Sequence, residues 1–349
     1  MFTLRIMYSS PEPWGRNENA LFGTAWSMMT NQRSTIRGLI THPGRCAGFD
    51  SSSCHGGACS ILSGSAFTWV LDLIVLTKAR VNTLVVGTTF FGFALHAEVV
   101  SNFPLLLQTL LATGFVACGA AVANQVLEHE YDRKMPRTQN RPLAARRISR
   151  SAAGWLSGAL GTVGCVWLWN VANLTAMLFA GLAFLVYAFL YTPLKRHTPA
   201  CTVMGAIAGA LPFAVGWAAT GADFGFWTFL GLAILFVWQI PHVLAIAWWR
   251  RTEYSRAGFR MISQGDFGGN VTARWMLGSA LALIAVSLLP IWLHNVSHGY
   301  LAGSLALGIP FVGFSVRLFL TKSESAAKTL FFASLLYLPS VYVLMLACQ

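Results

Sequence analysis

The sequence is poor in charge and poorer still in acids. Of 349 residues only 10% are charged, and Asp and Glu together number 12. A soluble domain carries about 25% charged residues, so this chain lacks the groups that keep a globular surface wet. Its 7 cysteines are too dilute for a disulfide scaffold. Disorder over most of the length is excluded too, because it needs low hydrophobicity and high charge. Here 55% of residues are hydrophobic and the mean hydropathy is +0.58. What is in excess is positive charge: 24 Lys and Arg leave a formal net charge of +12. At this low charge density the excess suggests basic loops against anionic lipid, with no nucleic-acid partner.

The first 65 or so residues differ from the rest. They are rich in Ser, Gly, Asn and Arg, hold no apolar run long enough to span a bilayer, and do not make a signal peptide. Two readings compete for residues 1–65: a disordered extension, or an over-extended gene start with Met28 or Met29 as the true initiator. Cys54, His55 and Cys59 lack a fourth ligand at zinc spacing. Residues 66–349 form the second region, a membrane domain.

From Trp69 onward, apolar stretches alternate with short polar loops. A spanning helix needs about 20 mostly apolar residues. Nine stretches qualify, near 81–101, 104–126, 151–169, 172–191, 201–220, 225–248, 272–293, 299–319 and 328–347. The expected fold class is therefore all-α, a polytopic bundle of about nine transmembrane helices. Cations mark its orientation. They cluster at Lys78 and Arg80, from Arg133 to Arg150, at Lys195 and Arg196, and from Arg250 to Arg274. The alternate loops, near Asn102, Ala172, Gly221 and Asn295, carry none. Nine spans put every cation on one side, so a cytoplasmic N-terminus in the cell (inner) membrane is expected.

Although acids are scarce, Glu128, Glu130 and Asp132 fall within five positions, in the most basic loop of the protein. Asn124, Glu128 and Asp132 are spaced i, i+4, i+8, which turns only about 40° per step on an α-helix. They share one face, and Glu130 points elsewhere. An amide and two carboxylates at the membrane edge suit Mg²⁺, which takes oxygen ligands and completes its shell with substrate phosphates. Arg137 and Arg141 are placed to take further phosphate oxygens. The competing reading is an ordinary solvated helix end whose acids form weak exposed ion pairs.

The order of residues in this segment, NQVLEHEYDRKMPRTQNRPL (Asn124–Leu143), closely resembles the first motif of the protoheme IX farnesyltransferases, or heme O synthases, of the UbiA-type intramembrane prenyltransferase superfamily. Three further stretches resemble the same family: LTKARV (Leu76–Val81), YTPLKRHT (Tyr191–Thr198) and WQIPHVLAIAWWRRTEYSRAGFRM (Trp238–Met261). The chain departs from the pattern at Ala79, where the family usually has Pro, at Val243, commonly Phe, and at Glu253, commonly Asp. The resemblance runs from about residue 70 to the end.

This resemblance implies transfer of the farnesyl group of farnesyl diphosphate to a vinyl group of heme b, with diphosphate leaving. It assigns Asn124, Glu128 and Asp132 to Mg²⁺ and catalysis, and Arg137, Arg141, Lys195 and Arg196 to the diphosphate. Lys195 and Arg196 have a second reading, as cations that merely hold their loop in the cytoplasm. His242 could meet the heme iron, a propionate or a proton, and the sequence does not choose among these. Glu253 and Tyr254 fall where the superfamily places a second acidic motif, with simple pairing to Arg250 or Arg256 as the alternative for Glu253. Tyr187, Tyr191 and Trp238 are candidate walls for an allylic cation. The family also implies heme as substrate and not as resident cofactor, with heme a synthase or a terminal oxidase as partner. Two other functions compete: prenylation of an aromatic or quinone precursor, which would need a second Asp-rich motif, and small-molecule transport, which fits poorly with spans nearly free of ionisable residues.

Overall fold

The computed structural model describes residues 65–293 and 297–348, so the expectations for the leader and its Cys–His–Cys group lie outside the described residues. All regular secondary structure among the described residues is helical. A short helix α1 (Ser65–Leu76) precedes α2 (Ala79–Ala94), α3 (Phe103–Arg133), α4 (Arg150–Val171), α5 (Leu174–Leu194) and α6 (Cys201–Ala219). Then follow α7 (Phe226–Trp249), the short α8 (Arg251–Ala257) and α9 (Ile262–Gly265), α10 (Asn270–Leu293), α11 (His298–Thr321) and α12 (Glu324–Cys348).

Eight of these, α3 to α7 and α10 to α12, are long and apolar enough to cross a membrane. The expected stretch near 81–101 instead forms α2, only 16 residues long. It stops at Ala94 because residues 95–102 turn before α3 begins. At 1.5 Å per residue α2 extends about 24 Å. It follows Lys78, which meets Asn124 in the C-terminal half of α3, and runs along the bundle as a helix shorter than the eight spanning ones. The outer surface is apolar: Trp155, Leu320 and Leu336 are 81%, 73% and 68% exposed. In water this would be a liability, whereas in hydrocarbon it is the expected exterior, and helices satisfy their own backbone there. The chain is a multi-pass membrane protein.

Two groups of helices meet across α6 and α7. On one side α3 packs on α4, and α6 on α2 and α5; on the other α7 packs on α10 and α12, and α11 on its two neighbours. The main apolar core lies between α6 and the second group and includes Phe213, Ile234, Leu235, Leu244 and Tyr342. The α2–α6 crossing depends on small residues. A methyl at Gly92 would fall on the Phe213 carbonyl, and one at Gly216 on the Thr89 carbonyl. Only glycine lets the two backbones approach this closely.

The join between α1 and α2 positions the site. Lys78 is held in the left-handed region, at φ 50° and ψ 44°, a conformation that costs a residue with a Cβ about 1–2 kcal/mol. Buried amides stabilise the break. Gln125 Nε2 on α3 donates to the Val75 and Leu76 carbonyls at 3.0 and 2.7 Å, and Asn82 Nδ2 donates to the Thr77 carbonyl at 2.7 Å. Near its end α5 loosens into a π-helical stretch, Val186–Tyr191, just before Pro193. Proline cannot supply the backbone donor that a regular α-turn needs.

Candidate active site

The last turns of α3 carry the acids inward. Asn124, Glu128 and Asp132 are buried at 0%, 4% and 1% exposure, so the expectation of one shared face holds geometrically. Glu130 points away, 61% exposed, and pairs with His129 and Arg133 at 2.9 and 3.2 Å. These three buried residues line a cavity of about 180 Å³ together with Lys78, Arg137, Arg141 and Lys195. The solvated-helix-end reading is thereby removed.

Each member of the cradle already holds a cation. Arg141 Nη1 donates to Asp132 Oδ1 and Oδ2 at 2.9 and 2.8 Å. Lys195 Nζ donates to Glu128 Oε1 at 3.1 Å, and Lys78 Nζ to Asn124 Oδ1 at 2.5 Å. The amide end of Asn124 donates to Thr192 Oγ1 at 3.0 Å, which fixes its orientation. Burial opposes the charge on Lys195, but the Glu128 carboxylate, helped by Tyr191, overrides that and holds the ammonium well above the usual lysine range. A backbone bond of 2.7 Å from Arg260 N–H to the Lys195 carbonyl ties the loop after α5 to the loop after α8.

Two carboxylates facing four cations leave the cavity with excess positive charge and a ready place for a polyanion. Among the described residues no group of three or more His, Cys, Asp or Glu converges on one point. The donor set is instead two carboxylates and an amide, which is the sparse, hard-oxygen set that suits Mg²⁺ when phosphate and water complete its shell. The residues therefore fit that ion, on condition that Arg141 and Lys195 exchange their carboxylates for phosphate oxygens.

The walls are aromatic and sulfur-rich: Tyr191, Tyr254, Phe259, Met135 and Met261 line the cavity, with Val243 and Ile246 of α7 opposite. Lys195 Nζ lies 4.3 Å from the centre of the Tyr191 ring, and Tyr254 meets Phe259 edge-on at 5.8 Å. Of the other candidate aromatics, Tyr187 packs behind Tyr191 at 5.3 Å, while Trp238 turns to α12 and donates to the Ser334 carbonyl.

Other expected site residues lie elsewhere. Arg196 is absent from the cavity lining: it donates to the Leu127 carbonyl and stacks 4.4 Å from the Tyr131 ring centre, because consecutive loop residues diverge. Glu253 stands behind the wall, bound to Arg250 at 2.8 Å as one of the two expected pairings had it, and 3.6 Å from Arg137 Nε of the cavity; the Arg256 pairing is not formed among the described residues. His242 is directed to Ser334 of α12, away from the acids. Lys78 is the cavity residue that sequence reasoning missed. Its signal was the LTKARV stretch, where it was read only as a topological cation.

Comparison with known proteins adds the family. The UbiA prenyltransferase family matches residues 85–336. A protoheme IX farnesyltransferase of Solibacter usitatus is 38% identical over 284 residues, covering 79% of this chain and 97% of that one. One from Marinobacter nauticus is 38% identical over 286 residues, covering 81% and 93%. Among solved structures, a digeranylgeranylglyceryl phosphate synthase superposes with a TM-score of 0.67 at 15% identity, over 80% of this chain and 97% of that one. A UbiA homologue from Archaeoglobus fulgidus bound to GPP and Mg²⁺ gives 0.58 at 15% identity, over 78% and 99%. At that identity the structures speak for the shared fold, while the sequence relatives and the matched span speak for descent. This chain belongs to the UbiA prenyltransferase family, among relatives that are protoheme IX farnesyltransferases.

Proposed function

We propose that the protein transfers the farnesyl group of farnesyl diphosphate to a vinyl group of heme b, giving heme O. The observation that carries this is the cavity in which four cations face two carboxylates and an amide at the end of α3. The C1–O bond of the diphosphate breaks, C1 bonds to the terminal vinyl carbon, and water adds at the inner carbon as the new hydroxyl. The proton lost from that water leaves with the diphosphate, so atoms and charge balance.

The work at the leaving group is to stabilise charge as it builds. Arg141, Lys195, Lys78 and Arg137 hold the diphosphate oxygens. Arg141 and Lys195 do so by turning from the carboxylates of Asp132 and Glu128. Asn124, Glu128 and Asp132 would hold the divalent ion. Bound there, Mg²⁺ supplies Lewis-acid stabilisation of the leaving diphosphate. Tyr191, Tyr254 and Phe259 present ring faces that stabilise an allylic cation and exclude the water that would quench it early. Glu253 positions Arg137, and Arg196 serves the end of α3 instead of the substrate.

The cavity end carries the cationic loops and so faces the cytoplasm, with lipid around the bundle. A terminal oxidase or heme a synthase is the expected consumer of the product. Prenylation of a quinone precursor is the less favoured reading. Its second acidic motif would need Asp266, but that carboxylate accepts from the backbone N–H groups of Asn270 and Thr272 at 3.1 and 2.7 Å, capping α10.

The test supplies heme b, farnesyl diphosphate and Mg²⁺ to membranes of a strain lacking its own enzyme and expressing this chain. Heme heavier by a hydroxyethylfarnesyl group is expected by mass spectrometry. Unchanged heme alongside a prenylated aromatic acid would overturn the assignment.

A further inference from the structure

We infer that His242 binds the iron of the acceptor heme through Nε2, an inference that rests on the heme-farnesylating reading above. Four observations carry it. The first is hydrogen-bond direction. Ser334 Oγ donates to the Phe331 carbonyl at 2.6 Å, and His242 Nδ1 lies 2.7 Å from the same oxygen. A hydroxyl has one proton, so toward His242 this oxygen accepts, and Nδ1 carries the hydrogen. The ring has no carboxylate among its contacts to balance an imidazolium. Neutral imidazole with its proton on Nδ1 has its lone pair on Nε2, the tautomer that ligates metals.

The second observation is rigidity. The ring stacks on Trp238 with centroids 4.6 Å apart and planes 20° apart, and lies 5.0 Å from Phe331. Trp238 is itself tied to the Ser334 carbonyl at 2.7 Å. A second partner that fixes the tautomer and ring direction is what orients a metal-binding histidine. Third, Nε2 has no hydrogen-bond partner among the described residues, yet it is not one of the sealed, unpartnered polar atoms of the interior. It is open to a ligand.

The fourth is position. Ile246, four residues on, lines the acid-and-cation cavity. Residues at i and i+4 share a helix face about 6 Å apart along the axis. Val243, the next residue, lines the same cavity while His242 turns to α12, so an iron held at His242 would lie beside the diphosphate cavity, with a porphyrin edge in reach of its α7 wall. The histidine sets the acceptor's depth and orientation. The diphosphate cradle, around the helix from it, handles the donor.

The test uses the full chain, purified in detergent, reduced and titrated with heme b alone. Resonance Raman spectroscopy should show an iron–histidine stretching band. His242→Ala should lose that band and regain an iron–imidazole band when free imidazole is added, while still binding farnesyl diphosphate. Ser334→Ala keeps the ring but removes the acceptor for Nδ1–H. It should shift the band to lower frequency and weaken heme binding about tenfold or more. A band that persists unchanged in His242→Ala overturns the ligand assignment while leaving the reaction intact. Should that variant not fold, an unchanged band in Ser334→Ala overturns it equally. If the unaltered protein takes up no heme at all, the heme-acceptor reading itself fails.

Discussion

The cradle on α3 and the histidine pocket between α7 and α12 face the same physical problem in different ways. Both place polar groups in a dry interior, where an uncompensated charge or an unmade hydrogen bond is expensive. The cradle keeps its groups charged and compensates each with an opposite charge: Asp132 with Arg141, Glu128 with Lys195. The histidine pocket stays neutral, with one hydrogen bond and two aromatic neighbours. Charge pairs can be exchanged for another charge, which suits a site that must accept and release a diphosphate. A neutral, locked ring keeps one direction and suits a site that must hold a flat partner in register.

The sharpest break in this comparison is to delete a carboxylate. Asp132→Ala and Glu128→Ala should each lower turnover at least about 10²-fold, as loss of a transition-state ligand does. Steady-state rates with heme b and farnesyl diphosphate check this, and near-normal rates in both would dismantle the site. Removing divalent ions with a chelator should likewise stop turnover, and adding back Mg²⁺ should restore it. A smaller effect is expected from Arg141→Lys. It keeps the charge but loses the two-oxygen grip, and should raise KM for farnesyl diphosphate about ten- to a hundredfold, in line with the roughly 1.5–3 kcal/mol of a charged hydrogen bond.

Two substitutions separate architecture from site. Gly216→Ala forces α2 and α6 apart and should destabilise the bundle by about 1–3 kcal/mol, read as a lower thermal midpoint in detergent. Arg196→Met should have the least effect on substrate: a lower midpoint from the lost Leu127 contact, with KM for farnesyl diphosphate unchanged. A large rise in KM there, matching that of Lys195→Met, would place Arg196 back among the diphosphate ligands.

How far each residue could be read in advance follows from how local its geometry is. The shared face of Asn124, Glu128 and Asp132 is a property of any α-helix with that spacing, and it survived folding intact. The spans were legible because bilayer thickness sets a length and composition that need no tertiary knowledge. Lys78 was not legible as a cavity residue, because its reach depends on a left-handed residue at a break held by Gln125 from another helix. Lys195 and Arg196 are neighbours in sequence and equal in charge, yet only one enters the cavity. Nothing in two adjacent basic residues says which way each side chain leaves a loop. Glu253 was an open choice between pairing and site, and it stands at the junction of both.

The order of residues alone determined a helical membrane bundle, its polarity of charge and the acid face on α3, since these follow from hydropathy, helix period and the exclusion of cations from one set of loops. The meeting of that face with Lys78 and Lys195, the inward or outward turn of each loop cation, and the tautomer of His242 were decided by tertiary structure. These depend on which helices lie side by side and which atoms remain to satisfy one another's hydrogen bonds.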